Sequence, residues 1–332
     1  MEESRPTEEK REERKEEHRH EEHRKEEHAH EKGFKQTALR FHDRHYKTLL
    51  IIPVIILLAC VAYMFYFYSV HGDFVNRDIS LTGGTSVTIN NGALSVQQLQ
   101  SDLAGKLDDI DVRAIYDQIT QQQKAVVIET KTDANATKII LDNYLGYNLT
   151  NENSSFGFTG SSLSTSFFRQ LMIAVLLAFV FMALVVFIMF RTLVPSTAVV
   201  ISAFADIFMT LTLFNILGFR LSSAGIIAFL MLIGYSVDTD ILLTNRVLRR
   251  HENTINRRVW NAFKTGITMS LTSLFAVLLA LIVVGSFSLV LSQIFTILVI
   301  GLCFDIFNTW LTNASIIKWY AIRLERRESH EP

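Results

Sequence analysis

The chain has 332 residues, a formal net charge of −1 and a hydrophobic content of 49%. These averages combine a charged beginning, a polar middle stretch and a mostly apolar remainder, so the net charge identifies no partner, and we expect no nucleic acid among the partners. The two cysteines, Cys60 and Cys303, both lie in apolar runs. This placement excludes a disulfide framework and a cysteine-spaced metal site. We therefore expect neither a metal nor a cofactor.

Residues 1–47 are predicted to form a charged cytoplasmic tail that is disordered or weakly helical. Within this tail, residues 8–32 read EEKREERKEEHRHEEHRKEEHAHEK, which offers no apolar face around which to fold. Opposite charges three residues apart can support a solvated helix. The histidines raise the alternative of metal capture, and we favour the solvated tail.

Six stretches are long and apolar enough to cross a membrane when hydropathy is averaged over about 19 residues. They are residues 49–70, 171–190, 195–216, 222–243, 265–284 and 289–311. The first follows too much charged chain, and is too long, to be a cleavable signal, so we expect it to remain as an anchor. The sequence therefore predicts an α-helical membrane protein, with one transmembrane helix at 48–70, five more within 167–320 and a cytoplasmic tail at 321–332.

Basic residues set the orientation of these spans. The loop between spans four and five carries six basic residues against one acid, and basic residues also precede span one and follow span six. By the positive-inside rule all three segments face the cytoplasm. Both termini of this multi-pass plasma-membrane protein are thus predicted to be cytoplasmic, and residues 71–166 to be extracytoplasmic.

The extracytoplasmic stretch has the pattern of a small α+β domain. Alternating apolar residues predict strands and helical spacing predicts helices. The strands are expected at 85–89, 111–116, 125–130 and 156–160, and the helices at 95–107 and 133–145. The order β-α-β-β-α-β is that of a ferredoxin-like domain between spans one and two. It contains no catalytic constellation, so we interpret it as a binding or force-bearing module rather than an enzyme.

Four acids lie inside the apolar spans, namely Asp206, Asp238, Asp240 and Asp305, and Lys264 enters span five from the side on which the last three lie. An intramembrane carboxylate has to face a bundle interior or a water-filled path. Coupling to protons or cations is one interpretation, and a buried structural hydrogen bond is the alternative. Because four acids fall on neighbouring spans, we favour coupling.

Asp238 and Asp240 cannot both face one cavity, since two residues turn an α-helix by about 200°. Asp238 shares its side of the helix with Tyr235 and Asn245, whereas Asp240 shares one with Ser236 and Thr244. Periodicity alone leaves the choice open. One acid could face the helices of its own subunit and the other those of a partner.

Four stretches carry motifs that are found together in one family. The first is DISLTGGTSV (78–87), just after the first span, with Asp78, Gly83, Gly84 and Thr85. The second is FADIFMTLTLFNILGFRLS (204–222), which begins in the third span. The third is GYSVDTDILLTNRV (234–247) in span four, with Gly234, Tyr235 and Ser236, and the fourth is KTGITMSLTSL (264–274) at the start of span five. Taken together, these stretches resemble the SecD/SecF family of protein-export membrane proteins, in the form of its archaeal SecF members. The resemblance covers residues of about 45–320 and excludes the charged tail.

The resemblance implies an accessory subunit of the Sec protein-export machinery, within the resistance-nodulation-division superfamily. The implied partners are a SecD-like membrane subunit, the Sec translocation channel, the translocating unfolded polypeptide and membrane lipids. It also implies use of the ion gradient, with Asp206 at the family's span-three aspartate, Asp238 at the position of the SecD aspartate and Lys264 in place of the family's arginine. On this basis we expect Asp238 to matter more than Asp240, with Asp206 and Lys264 as its partners.

Two alternatives belong to other functional classes. A small-solute or lipid exporter of the same superfamily predicts a second large outside domain and twelve spans in one chain, and neither is present in this sequence. A structural scaffold of the Sec channel predicts that the intramembrane acids can be replaced without loss of export.

We predict that residues 2–32 are dispensable for assembly, because they carry no apolar anchor. Deleting them should leave membrane insertion and binding of the SecD-like partner intact, as measured by co-purification from detergent extracts. The full-length chain is the control, and loss of the partner from the truncated chain would contradict the prediction.

Overall fold

The computed structural model describes residues 48–117, 120, 122–249, 254–285 and 288–328. The chain divides into the units Met1–Leu49 and Leu50–Pro332. Apart from Thr48 and Leu49, the described residues belong to the second unit. The predicted charged tail at 1–47, with its histidines, lies outside the described residues.

One small α/β region lies between the first long apolar helix and the remaining long apolar helices. In chain order they are α1 (Thr48–His71), α2 (Ile79–Thr82), β1 (Gly84–Ile89), α3 (Val96–Leu103), β2 (Asp111–Tyr116), β3 (Gln123–Thr130), α4 (Ala134–Leu145), β4 (Ser154–Thr159), α5 (Ser161–Phe190), α6 (Leu193–Ile216), α7 (Ser223–Leu248), α8 (Ile255–Val284), α9 (Leu289–Asn308), a π-turn (Thr309–Asn313) and α10 (Ala314–Glu328).

Six helices of the described chain are long and apolar enough to span a membrane: α1, α5, α6, α7, α8 and the continuous helix from α9 to α10. The six predicted spans are confirmed as helices of this length and composition. The helices extend beyond the apolar windows because polar turns prolong them. For example, α5 begins at Ser161 and α8 at Ile255, and α10 carries helical structure to Glu328, into the predicted tail.

The four strands form one antiparallel sheet in the order β2-β3-β1-β4. Central strand β1 pairs Val87 with Ile128 of β3 on one side and with Phe156 of β4 on the other. Alternate residues of the sheet pack with α3 and α4 into a core that includes Leu99 and Leu141. Burial of such side chains is the main stabilising contribution to a domain of this size. The predicted strands and helices are confirmed to within about four residues.

A short segment after α1 joins the sheet to the helical bundle. Asp78 caps α2 by accepting hydrogen bonds from the backbone N–H and the hydroxyl of Ser80, at 2.7 and 2.5 Å. The Asp78 N–H donates to Leu221 O, and the Ser80 hydroxyl accepts from Ser223 N at the start of α7. Burial raises the pKa of the Asp78 carboxyl, against the opposing effect of the Ser80 bonds. The acid of the DISLTGG motif therefore fixes a structural junction.

The two motif glycines are required by close packing at the same junction. A Cβ at Gly83 would lie 2.4 Å from the Cα of Ser161, and one at Gly84 would lie 2.3 Å from Thr130 O. Both glycines also have positive φ, at 83° and 145°. Next in the motif, Thr85 donates its hydroxyl to Thr132 O at 2.7 Å. The motif thus allows β1 and α5 to begin side by side.

Helices α6, α7 and α9 form the interior of the bundle, and α5 and α8 pack against them. More than half of the central part of α6 and of α7 is buried, whereas little of the central part of α1, α5 and α8 is buried. The exposed apolar side chains of these outer helices are those that a lipid environment or a partner helix would cover. The polar residues of α6, α7 and α9 therefore lie in the interior.

We predict that residues 76–162 fold as an independent domain, because the sheet and its two helices enclose their own apolar core. The isolated fragment should unfold cooperatively when its circular dichroism is followed against temperature. Gly84→Ala should destabilise it by more than about 1 kcal/mol through the clash with Thr130 O and the positive φ. Gly105→Ala is the matched control, since a Cβ there meets nothing within 4 Å. A gradual, non-cooperative melt of the unsubstituted fragment would contradict the prediction.

Candidate functional site

Three of the four predicted intramembrane acids come together in the interior of the bundle. Asp206 of α6, Asp240 of α7 and Asp305 of α9 each have 0% of their surface exposed. The helices that carry them are mutual neighbours. Burying three carboxyl groups is costly unless hydrogen bonds and neutralising partners compensate, so their surroundings decide what the site can do.

Asp206 is held by neutral donors from the two adjacent helices. The Ser236 hydroxyl of α7 donates to its Oδ2 at 2.5 Å, and the Asn308 amide of α9 donates to its Oδ1 at 2.7 Å. Thr312 in turn donates to the Asn308 Oδ1 at 3.4 Å, which orients the amide. Ser236, a buried residue of the span-four motif, thus hydrogen-bonds directly to the span-three acid.

Asp240 and Asp305 share a single hydroxyl group. The Thr309 Oγ1 lies 2.8 Å from Asp240 Oδ1 and 3.3 Å from Asp305 Oδ1. The Asn313 amide also donates to Asp240 Oδ1, at 2.8 Å. The two carboxyl groups therefore approach each other through Thr309, across the interface between α7 and α9.

The cluster lacks full compensation for its carboxyl groups. Asp240 Oδ2 and Asp305 Oδ2 are buried and accept no hydrogen bond from the described part of the chain. In that part of the chain none of the three carboxyl groups is in an ion pair. Buried carboxyl oxygens without donors are stabilised by a proton or by a small cation. The arrangement is therefore chemically suited to take up and release a positive charge.

The π-turn aligns two of the donors on the same carboxylate oxygen. In an α-helix, residues four apart are offset by about 40° beyond a full turn. The wider turn at Thr309–Asn313, in which Ala314 N–H donates to Thr309 O five residues back, reduces this offset. Thr309 and Asn313 consequently both reach Asp240 Oδ1, and the site depends on this local departure from α-helical geometry.

Asp238 lies on the other side of α7, where it is exposed with Ile227, Met231 and Gly234. These residues recur at intervals of four, three and four and form one stripe along the helix. A Cβ at Gly234 would meet nothing within 4 Å, so another helix can approach closely there. The geometry favours Asp240 over Asp238 as the partner of Asp206, the reverse of the order expected from sequence, because the two side chains point about 200° apart.

The other predicted site residues divide between these two sides. Ser236 and Thr244 are buried on the side of Asp240, as the helical register predicts, while Tyr235 is 43% exposed on the side of Asp238. Lys264 lies on an exposed side of α8. The structure thus separates a buried acid cluster from an open stripe.

Three polar members of the cluster are absent from the sequence-based prediction: Asn308, Thr309 and Asn313. A signal for two of them is present in the sequence, because Asp305, Thr309 and Asn313 recur every four residues across the end of the last apolar span. All three side chains are neutral, and they supply hydrogen-bond donors to the carboxyl groups of this cluster.

The chain matches proteins of known family over most of its length. Residues 142–323 match the family described as protein export membrane protein SecD/SecF, C-terminal. The chain belongs to the SecD/SecF family. It is 38% identical over 288 residues to the protein-export membrane protein SecF of Methanocaldococcus jannaschii, covering 83% of this chain and 96% of the relative. The SecF proteins of Haloquadratum walsbyi and Pyrococcus furiosus are 35% and 34% identical, cover 83% and 85% of this chain, and are themselves covered over 92% and 93%.

Two solved structures share the fold. The crystal structure of SecDF from Thermus thermophilus, a translocon-associated membrane protein, has a TM-score of 0.67 at 18% identity over 85% of this chain. A super-membrane-facing form of SecDF has a TM-score of 0.57 at 16% identity over 86% of this chain. The chain spans 38% and 39% of those longer chains.

We predict that Asn313→Leu destabilises the bundle, because it removes a donor from the buried Asp240 carboxyl while keeping the volume. The expected cost is about 1–3 kcal/mol, measured as the midpoint of thermal unfolding in detergent. The cost should shrink in an Asp240→Asn background, since the carboxyl is then absent. Ser315→Ala is the control, because its buried hydroxyl has no partner within the described residues. An equal cost in both backgrounds would contradict the assigned contact.

Proposed function

We propose that the chain acts in protein export as a SecF-type accessory subunit that works with a SecD-type membrane partner at the Sec channel. The observation that carries this proposal is the match, over 83% of the chain, to a relative named as a protein-export membrane protein. The fold shared with SecDF, a protein described as translocon-associated, supports the same assignment. The unfolded polypeptide in transit and the surrounding lipids are the further partners that the proposal requires.

We propose in addition that both termini face the cytoplasm and that residues 71–166 lie outside it. The basic loop between α7 and α8 supports this orientation through the positive-inside rule. In that frame the four-stranded region is an extracytoplasmic domain of ferredoxin-like type, which its strand order β2-β3-β1-β4 and its two helices support. It is the part of the chain that emerging polypeptide can contact.

Ion pairs and hydrogen bonds link the domain to the bundle, and we propose that force passes through them. Arg220, in the turn between α6 and α7, forms ion pairs with Asp109 and Asp111 at 3.2 and 3.7 Å. The Gln293 amide of α9 donates to Arg220 O at 2.5 Å, and Asp78 N donates to Leu221 O. Domain, turn and bundle helices are thus linked within a few residues, which supports a function in which movement of one part is transmitted to the other.

The buried cluster of Asp206, Asp240 and Asp305 is the proposed ion-coupling site. Two of its carboxyl oxygens, Asp240 Oδ2 and Asp305 Oδ2, accept no hydrogen bond from the described chain. The three carboxyl groups lie where three neighbouring helices meet. Gain or loss of a positive charge would change the attraction between α7 and α9. A two-state helix arrangement biased in this way is sufficient to couple an ion gradient to mechanical work.

The open stripe of α7 is the proposed contact with the SecD-type partner. Exposing a carboxyl group such as that of Asp238 to lipid is energetically costly, so it requires hydrogen-bond donors on a neighbouring helix. Gly234, beside it, permits the close approach that such a contact needs. Lys264, on an exposed side of α8, is proposed to take part in the same contact with the SecD-type partner.

The proposed roles of Asp240 and Asp238 predict different effects when each residue is replaced. The unsubstituted chain, purified from native membranes, should co-elute with SecD-type and Sec-channel subunits. Asp240→Asn should retain this co-elution and lower gradient-stimulated export, because it removes the titrating carboxyl while preserving size and hydrogen bonding. Asp238→Asn should instead weaken co-elution with the SecD-type subunit.

Each outcome has a distinct meaning. Absence of SecD-type and channel subunits from the unsubstituted sample would remove the proposal of an export subunit. Normal export by Asp240→Asn would remove the coupling role and favour a structural scaffold. A larger export defect in Asp238→Asn at equal co-elution would restore the order expected from the sequence.

A further inference from the structure

The Thr309 hydroxyl lies between two buried carboxyl groups and within hydrogen-bonding distance of both. It is 2.8 Å from Asp240 Oδ1 and 3.3 Å from Asp305 Oδ1. A hydroxyl has one hydrogen to donate and lone pairs with which to accept. It can therefore donate to only one of the two carboxylates at a time. The second contact is a hydrogen bond only if that carboxyl carries a hydrogen of its own.

Counting donors shows where this hydrogen belongs. Asp206 receives hydrogen bonds from Ser236 and Asn308, one on each oxygen. Asp240 receives them from Thr309 and Asn313. The Ser236 hydroxyl also lies near Asp305, but it has one hydrogen, which it donates to Asp206. If Thr309 donates to Asp240, neither hydroxyl has a hydrogen left for Asp305, whose Oδ2 also lacks a partner in the described chain. Asp305 then makes its contact with Thr309 as the protonated member.

We propose that Thr309 is a proton relay between Asp305 and Asp240. The proposal rests on the coupling role assigned to the acid cluster, and it adds a residue, a route and an ion to that role. Within the described chain, the carboxyl groups nearest the relay are Asp240 of α7, Asp305 of α9 and, beyond Ser236 and Asn308, Asp206 of α6.

The transfer conserves atoms and charge. At the start the Asp305 O–H donates to Thr309 Oγ1, and the Thr309 O–H donates to Asp240 Oδ1. The Asp305 hydrogen then passes to the Thr309 oxygen as the original Thr309 hydrogen passes to Asp240. Two O–H bonds break and two form, the hydroxyl is regenerated pointing the other way, and the negative charge moves from Asp240 to Asp305. No electron is gained or lost.

The two arms of the relay differ in a way that links it to helix movement. Asp305 and Thr309 are four residues apart on one helix, so their separation is fixed by that helix. Asp240 belongs to α7, so the Thr309–Asp240 arm crosses between two helices. A shift of α7 relative to α9 breaks this arm and stops transfer, whereas the Asp305 arm persists. The proton can therefore pass only in one arrangement of the two helices, which is the property that a coupled transporter needs.

Position-specific variants test the relay in the assembled complex. Thr309→Val keeps the branched shape and removes the hydroxyl, and Thr309→Ser keeps the hydroxyl and removes the methyl. Thr296→Val is the matched control, since Thr296 lies on α9 and its hydroxyl donates to Ser292 O of the same helix rather than to a carboxyl. Export of a secreted precursor is measured in inverted membrane vesicles with an imposed proton gradient, in H2O and in D2O.

The relay predicts that Thr309→Val loses gradient-stimulated export about a hundredfold, the low end of what a positioned proton-transfer group contributes. Thr309→Ser should restore most of it, and Thr296→Val should resemble the unsubstituted complex. The slowing in D2O should be present in the unsubstituted and Thr309→Ser complexes. Infrared difference spectra should show the protonated carboxyl band shifted by Thr309→Val and restored by Thr309→Ser, which a role in packing alone would not produce.

Failure of the relay is distinguishable from failure of the coupling role. If Asp240→Asn abolishes gradient-stimulated export while Thr309→Val retains it, the relay is wrong and the coupling role stands. If both variants export normally, both proposals are wrong. If stimulation follows a sodium gradient with no slowing in D2O, the site carries a cation and the relay is wrong.

A further variant tests the relay if Thr309→Val prevents assembly of the complex. If Thr309→Val fails to co-purify with the partner, Thr309→Cys replaces it, because a thiol is a weak donor of similar size. An assembled Thr309→Cys complex should then show slowed export, and normal export by this variant would overturn the relay.

Discussion

The cost of placing a carboxyl group inside a membrane-spanning bundle governs the arrangement of this chain. Three such groups lie in its interior, and neutral side chains rather than bases supply their hydrogen bonds. Most of these donors come from a neighbouring helix, so α6, α7 and α9 have to pack at a fixed register for the acids to be tolerated. The same requirement leaves Asp240 and Asp305 short of donors. The packing that buries these acids therefore also leaves them able to take up a proton or a small cation.

Helix α7 has two sides with different surroundings. One side, with Ser236, Asp240 and Thr244, is buried against the chain's own helices, and the other, with Gly234 and Asp238, is open. Since both sides carry an aspartate, a change in the inner acid can alter the position of the outer one by rotating or shifting a single rigid helix. The GYSVDTD motif thus places the proposed ion site and the proposed partner contact on one element, without requiring a chain of intermediate residues between them.

Much of the architecture was predictable from the sequence, for reasons that particular elements make clear. The six spans follow from hydropathy alone, the strand at Val87 follows from alternation of apolar residues, and the strand at Ile128 follows from a short apolar run next to a polar turn segment. The choice between Asp238 and Asp240 was not predictable, because periodicity gives relative directions and not the direction of the bundle interior. Nor was the π-turn, since nothing in TWLTN distinguishes it locally from α-helix. Asn308, Thr309 and Asn313 escape prediction for the related reason that neutral polar residues in a span are usually packing residues.

The π-turn also has a consequence for the history of the chain. A turn that closes five residues back contains one residue more than an α-helical turn, so it is equivalent to a single-residue insertion. Everything beyond it is rotated by about 100° relative to an uninterrupted helix. Glu325, which pairs with Arg258 of α8, lies in that rotated portion. Loss of one codon at this turn would therefore move the far end of α10 away from α8 and would also change the acid site. Because both the α10–α8 contact and the acid site depend on the extra residue, its loss would disrupt two features at once.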